Sequence, residues 1–459
     1  MSGDRQDVPA SGVLGHEDAP TATRAWQPGR DLLVWLIFAV YFGLAVGSSY
    51  VHELGHGPDE TSRHFPYVEW LARNRCLPPA DPNVECGALE LHPPVYYLLL
   101  TPVYDAASPY GRRAALRALR WTSPFLVLLV LLLWFRVIRN ACAGERRTTL
   151  FAFALTAWWP NLFVDAGMLN NDVGALLVIA ILLYLAVFEH YASRSLFSAG
   201  LWGAFAGIGG LVKASVLVSA VPIIAVALIW QHGGRFWKDG RFWSRGLLAA
   251  AACVGICGWW YLRNLELHGS FTCITRDMGF CLIPPGLTNF EALMAGLVGP
   301  LVLRAVNGLW VSVFAGAVWF PDWSHPVVYG ALRVLTALGI IGVGLGVYRL
   351  YSGRARLAPG QAAAIVLPAV GFGAMYLSDI WTSVFVHAGF YQGGRYLLIS
   401  LPGLTIPFAL GLKQFLPRRL QTALMVLVVM FFFVLNLLVW YHIITYWNPY
   451  VLSQGGRFE

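Results

Sequence analysis

The chain has 459 residues, 57% of them hydrophobic and 12% charged, with a mean hydropathy of +0.60, which excludes an ordinary soluble domain. Its formal charge of +8 gathers in Arg-rich clusters between apolar runs. That pattern orients a membrane protein and is not a nucleic-acid footprint.

Residues 1–30 are polar and rich in Gly, Pro and Ala, without the basic-then-apolar layout of a signal peptide, and read as a disordered cytoplasmic tail. Apolar runs follow at about 31–50, 121–138, 148–165, 172–188, 198–212, 214–231, 246–263, 326–348, 361–379, 396–412 and 421–441. Each is near the length a helix needs to cross a bilayer. The expected fold class is therefore all-α integral membrane with about 11 transmembrane helices and no barrel alternation. The expected divisions are the tail, a transmembrane module 31–263 that includes a first extracytoplasmic loop 51–120, a second such loop 264–320, and C-terminal transmembrane helices 321–459. Residues 93–107, with Pro93, Pro94, Pro102 and Asp105, read as a twelfth span or an interfacial piece; 289–310 is mildly amphipathic and leaves room for further short spans.

Orientation follows from the basic loops. Arg235, Lys238, Arg241 and Arg245, then Arg349, Arg354 and Arg356, then Lys413, Arg418 and Arg419 agree with a cytoplasmic side shared with the N-terminus if 93–107 does not cross. This arrangement leaves Arg112, Arg113, Arg117 and Arg120 outside, its weak point. Both outer loops then hold a close cysteine pair, Cys76/Cys86 and Cys273/Cys281, candidate disulfides in an oxidising compartment or else unpaired thiols. Cys142, Cys253 and Cys257 fall in an inner loop and a span.

Charge is scarce, so its clustering on the outer side is the strongest functional signal. The first loop carries Asp59-Glu60, followed by a segment 59–74 with Phe65, Val68 and Leu71 on one helical face. Asp59 at its start is a candidate reactive carboxylate or only a helix cap. At the same membrane level lie Asp172, after Asn170-Asn171, and the cations Lys213, Arg263 and Arg395, the last beside Tyr396. Each cation is a candidate anion ligand or a snorkelling side chain. His52-Glu53-Leu54-Gly55-His56 matches the H-E-x-x-H zinc-protease pattern. Gly55, Gly57 and Pro58 break the helix that this motif requires, and no apolar Leu-Asp-Gly supplies a third ligand. An intramembrane zinc protease using His52, Glu53 and His56 is thus an alternative, as is a lipid or solute transporter without covalent chemistry.

The order of short motifs resembles the GT-C superfamily of polytopic glycosyltransferases, in particular its bacterial branch similar to protein O-mannosyltransferases and the lipid A aminoarabinose transferase. The motifs are Pro58-Asp59-Glu60-Thr61-Ser62-Arg63-His64-Phe65, Leu71-Ala72 to Leu77-Pro78, His92-Pro93-Pro94-Val95-Tyr96-Tyr97, Asn170-Asn171-Asp172, Leu211-Val212-Lys213, Trp260-Tyr261-Leu262-Arg263-Asn264 with Gly269, and Gln392-Gly393-Gly394-Arg395-Tyr396-Leu397. The resemblance covers about residues 31–412. It implies a bacterial inner-membrane enzyme with an extracytoplasmic active site. A sugar would pass from a polyprenyl phosphate to a lipid, glycan or protein acceptor with inversion. It further implies Asp59 as general base, and Lys213, Arg263, Arg395 and Tyr396 at the donor phosphate. Glu60, Asp172 and His64 would orient substrate or hold a divalent metal ion, which some members of the family use.

Overall fold

The computed structural model describes residues 26–57, 59–78, 92–188, 195–271, 291, 294–296, 298–315, 326–385, 393–414 and 417–453. Among these the secondary structure is helical throughout. The chain runs α1 (Leu32–Val51), α2 (Phe65–Asn74), α3 (Val95–Ala107), α4 (Arg112–Ala141), α5 (Arg146–Ala157), α6 (Pro160–Ala166), α7 (Asp172–Phe188), α8 (Leu196–Gly210), α9 (Ser215–His232), α10 (Gly240–His268), α11 (Val298–Ala315), α12 (Pro326–Tyr351), α13 (Pro359–Phe385), a 3-10 segment Gly393–Ser400, α14 (Pro402–Leu412), α15 (Arg418–His442) and α16 (Asn448–Ser453).

Seven of these helices, α1, α4, α9, α10, α12, α13 and α15 with its continuation, are long and apolar enough to cross a membrane. The 3-10 segment and α14, bent by 78°, form an eighth if they count as one span. α7, α8 and α11 are apolar but shorter. The expected eleven is therefore not reached by length and composition among the described residues. One reason is local: the run 148–165 is not continuous, because Pro160 holds Trp159 extended (φ −66°, ψ 125°) and splits it into α5 and α6. At the end of the expected tail, Pro28–Arg30 form a 3-10 turn, next to which Trp26 stacks edge-on to Phe135 and donates to Asp31 (2.8 Å). The region 264–320 contains α11, which packs on the 3-10 segment and on α13.

Helix starts follow the chemistry of their first turns. Asp31, Glu145, Ser195 and Asp239 cap α1, α5, α8 and α10 by accepting from backbone N–H groups that have no partner inside the helix. α7 sits innermost, touching α4, α8, α9, α13 and the 3-10 segment. α8 lies along α10 at backbone contact: a Cβ on Gly203 would collide with the Ala249 carbonyl, the close approach that small residues permit between membrane helices.

Hydrogen bonds also sort the two ends of the bundle. At one end Arg146 grips Asp31 (2.5 and 3.0 Å), Lys413 pairs with Glu145 (3.4 Å), and Asn140 and Gln361 bind the carbonyls of Gly360 and Ala141. At the other the C-terminal segment returns to the first loop. There Asn448 donates to Val51 O (2.7 Å) and Trp447 to His56 O (3.2 Å).

Candidate functional site

α1 ends at Val51, and the chain turns through Gly55 (φ 86°) into a π-helical turn Glu60–His64 that leads into α2. Neighbouring acids meet opposite fates there. Glu60 points inward and is completely buried. Its carboxylate takes Arg120 Nε (2.7 Å) and Nη2 (2.5 Å) as a fork, and the N–H groups of Gly55 (3.0 Å), Gly57 (3.4 Å) and Leu169 (3.0 Å). Burial pushes the Glu60 carboxyl up, but Arg120 and the Leu169 and Gly55 donors outweigh it and hold the group below its ordinary value. Arg120 spends its remaining N–H groups on the carbonyls of Ser49, His52 and Glu53. The pair is a latch that fastens the loop to α4.

Asp59 is in the left-handed region (φ 55°, ψ 8°) at the start of the turn, with no side-chain capping hydrogen bond. The cap reading therefore does not describe its carboxylate. Its ion-pair partner is Arg63, at 3.7 Å, and the carboxylate is 39% exposed.

A second acid lies at the start of α7. Asn170 Oδ1 accepts from the N–H groups of Asp172 (3.0 Å) and Val173 (3.3 Å), while Asn171 Nδ2 donates to Val212 O (3.3 Å). The two asparagines thus fix the helix start and tie it to the end of α8. Lys213, in the break between α8 and α9, donates to Asp172 Oδ1. Arg395 Nε lies 4.0 Å from Asp172 Oδ2. The Tyr396 ring sits under both cations, 4.3 Å from Lys213 Nζ and 5.0 Å from Arg395 Cζ, and its hydroxyl accepts from Arg395 Nη2 (3.1 Å). Arg395 is aimed by the 3-10 segment, whose Gly394 N–H donates to Ser312 Oγ of α11 (3.0 Å) at a spacing that leaves no room for a Cβ. Arg395 Nε is buried and has no hydrogen-bond partner among the described residues, a donor left over from its pairing with Asp172.

Between the loop acid and this cluster lie two imidazoles. His64 Nδ1 and the Tyr97 hydroxyl are 2.8 Å apart, and the His64 and His92 rings are 5.7 Å apart. Burial, then the positive charges of Arg63 and Lys213, push His92 down to about 4, while Asp59 and Asp172 both act on it in the opposite sense. Burial, with His92, Lys213, Arg395 and Arg63, also drives His64 well below its ordinary value. Both rings are neutral near pH 7. Lys213 and Arg63 act on both imidazoles, Asp59 and Asp172 on His92, and Arg395 on His64.

The remaining expected residues divide. Arg263 lies over the Trp260 ring (5.1 Å) and donates to Pro78 O (3.4 Å), contacts that place it at the α10 end beside the loop. Cys86, Cys273 and Cys281 lie outside the described residues, so neither cysteine pair can be described; Cys76 is exposed. The zinc-protease pattern does not form a ligand face: α1 ends before His52, whose Nδ1 faces Ser48 O (3.1 Å), and Gly55 reverses the chain before His56. No three His, Cys, Asp or Glu side chains among the described residues converge as metal ligands; Glu60 is taken by Arg120 and Asp172 by Lys213.

Sequence reasoning missed four groups here. Arg120 was read only as part of a misplaced basic patch, and His92 only as part of a motif. Asp165 of α6 and Asp379 of α13 are buried acids whose carboxylates feel Lys213. Their position inside apolar runs was the available signal.

No protein-family model matches the sequence, and no curated protein does. Solved structures do. ArnT from Cupriavidus metallidurans bound to undecaprenyl phosphate superposes with a TM-score of 0.50 at 15% identity, over 86% of this chain and 63% of that one. The Archaeoglobus fulgidus oligosaccharyltransferase in complex with Zn and sulfate does so with a TM-score of 0.51 at 15% identity, over 89% of this chain and 53% of that one. The chain thus spans less than two thirds of either neighbour. At this identity the likeness is one of fold, and the chain shares the all-helical membrane fold of these two structures.

Proposed function

We propose that the protein is a membrane glycosyltransferase that moves a sugar from a polyprenyl-phosphate donor to an acceptor lipid, glycan or protein at the extracytoplasmic face of a bacterial inner membrane. The observation that carries this reading is the meeting of Lys213 and Arg395 at one carboxylate, Asp172, over the Tyr396 ring, with an uncapped, partly exposed acid, Asp59, in the first loop. The fold shared with a protein bound to undecaprenyl phosphate supports the choice of donor.

The chemistry is a single displacement with inversion. The acceptor oxygen attacks the sugar's anomeric carbon as the carbon–oxygen bond to phosphate breaks, and the bonding electron pair leaves on the lipid phosphate. That phosphate gains negative charge in the transition state, where Arg395, whose Nε makes no hydrogen bond among the described residues, and Lys213 stabilise it most. Asp59 takes the acceptor's proton. Asp172 holds the two cations together against their mutual repulsion, and Tyr396 keeps their heads in register. Glu60 positions Asp59 through the latch, and neutral His64 with Tyr97 offers hydrogen bonds to the sugar. Arg263 serves the phosphate or the loop. Each of these steps is carried by the chain's own groups, and the comparison with and without chelator below tests for a divalent ion.

The basic end, which holds Arg146, Arg147 and Lys413 beside residues 26–31, is assigned to the cytoplasm. Arg112, Arg117 and Arg120 do not oppose this assignment. Arg112 pairs with Glu69, Arg120 binds Glu60 and Arg117 lies on the Tyr50 ring, so two of the three charges meet a carboxylate within the protein.

The test is transfer from a panel of polyprenyl-phosphate sugars by purified protein in lipid nanodiscs, with and without chelator. The expected result is transfer abolished in Asp59→Asn. Full transfer by that variant would refute the assignment of the base, and failure of every donor to support transfer would refute the class.

A further inference from the structure

A groove of about 330 Å³ opens on the bundle surface between α1, α5 and α15, at the end opposite the site described above. Its walls are apolar, formed by side chains such as Leu36, Leu150, Ala154 and Val429. All three helices begin at its mouth, which is set by Arg146 and Arg147 on α5 and by Thr422 on α15. From Arg147 to Trp158 α5 rises about 16 Å, and from Thr422 to Met430 α15 rises about 12 Å. One leaflet of the hydrocarbon core is about 15 Å deep. The groove therefore runs the depth of a single leaflet and carries cations at the interfacial end.

The charges at the mouth do not cancel. Asp31 is neutralised by Arg146 and Glu145 by Lys413. Arg147 and Arg419, the latter one turn before Thr422, are exposed and have no ion pair among the described residues. Three helix N-termini add positive potential at the same place.

We propose that this groove is the binding site of one anionic phospholipid from the leaflet on that side, with an acyl chain along Leu150 and Ala154 and its phosphate at Arg147. A neutral lipid would fill the same walls but leave Arg147 without a counter-charge. A polyprenyl phosphate is the rival anionic lipid, and the titration below separates the two. The assignment rests on the groove and its charge and not on the proposed transfer reaction.

The test is native mass spectrometry of the delipidated full-length protein titrated with phosphatidylglycerol, phosphatidylcholine or undecaprenyl phosphate, comparing wild type with R147Q and A154W. Thermal unfolding checks that both variants are folded. The expected result is roughly fivefold preference for phosphatidylglycerol, lost in R147Q, with both phospholipids displaced by the indole in A154W. If A154W does not fold, loss of preference in R147Q alone decides. Equal retention of the two phospholipids by wild type, or a preference unchanged in R147Q, would overturn the proposal. So would retention of a polyprenyl phosphate that A154W alone displaces.

Discussion

Replacing Glu60 with Gln separates the two acids that stand side by side in the sequence. The change is nearly isosteric but removes the one carboxylate among the described residues that meets Arg120, a guanidinium with no solvent exposure. A buried charge left without its partner costs about 3–5 kcal/mol. The new amide makes matters worse, since its NH2 must face an N–H of Leu169, Gly55 or the guanidinium, donor against donor. Glu60→Gln is therefore expected to lose most of the folded protein in a denaturant titration in detergent, followed by tryptophan fluorescence. Removing both charges in Glu60→Gln/Arg120→Met is expected to recover part of the loss, because no ion is then stranded. If Glu60→Gln unfolds like wild type and loses only transfer, Glu60 is part of the chemistry and the latch reading is wrong.

Asp59→Asn is expected to lower transfer by about 10²–10⁴-fold with an unchanged unfolding midpoint, since Asn accepts the left-handed φ that Asp59 holds; comparison with wild type in the same nanodiscs checks it. Arg395→Lys, which keeps the charge but loses the Nε donor, is expected to cut kcat/KM for the lipid donor about 10- to 100-fold, read from initial rates. Stability should fall as pH drops from about 6.5 towards 4, because the unfolded chain binds a proton at His92 that the folded chain, with this group at about 4, does not. The effect is up to about 3 kcal/mol, and denaturation midpoints of His92→Phe should be flatter over that window. Gly203→Leu is expected to separate α8 from α10 and lower the thermal midpoint, measured by differential scanning fluorimetry.

The helical membrane class was legible from the apolar runs, and Asp172, Lys213 and Arg395, which the structure brings together, stood out because charge inside an apolar chain is rare. Which acid of the Asp59-Glu60 pair faces inward was not legible, since that depends on an arginine 60 residues further on. Nor was the meaning of the patch around Arg120, because counting charges for orientation takes each as solvated, whereas these are bound by Glu60, Glu69 and loop carbonyls. The break at Trp159 could have been read from Pro160, but an apolar run long enough to cross masks a proline near its centre. Asn170 and Asn171 carried weight as motif members, and their contribution is to cap and tether.

The five donors around the Glu60 carboxylate come from three stretches of chain that are made at different times. As the protein is synthesised from its N-terminus, the loop emerges first with its acid unmet. Arg120 follows only with α4, and the Leu169 N–H only after α6. The loop then gains its last anchors, Trp447 and Asn448, from the far end of the chain. The outer loop is thus among the first segments made and among the last to settle, and a nascent chain halted before residue 169 would carry Asp59 without holding it in place.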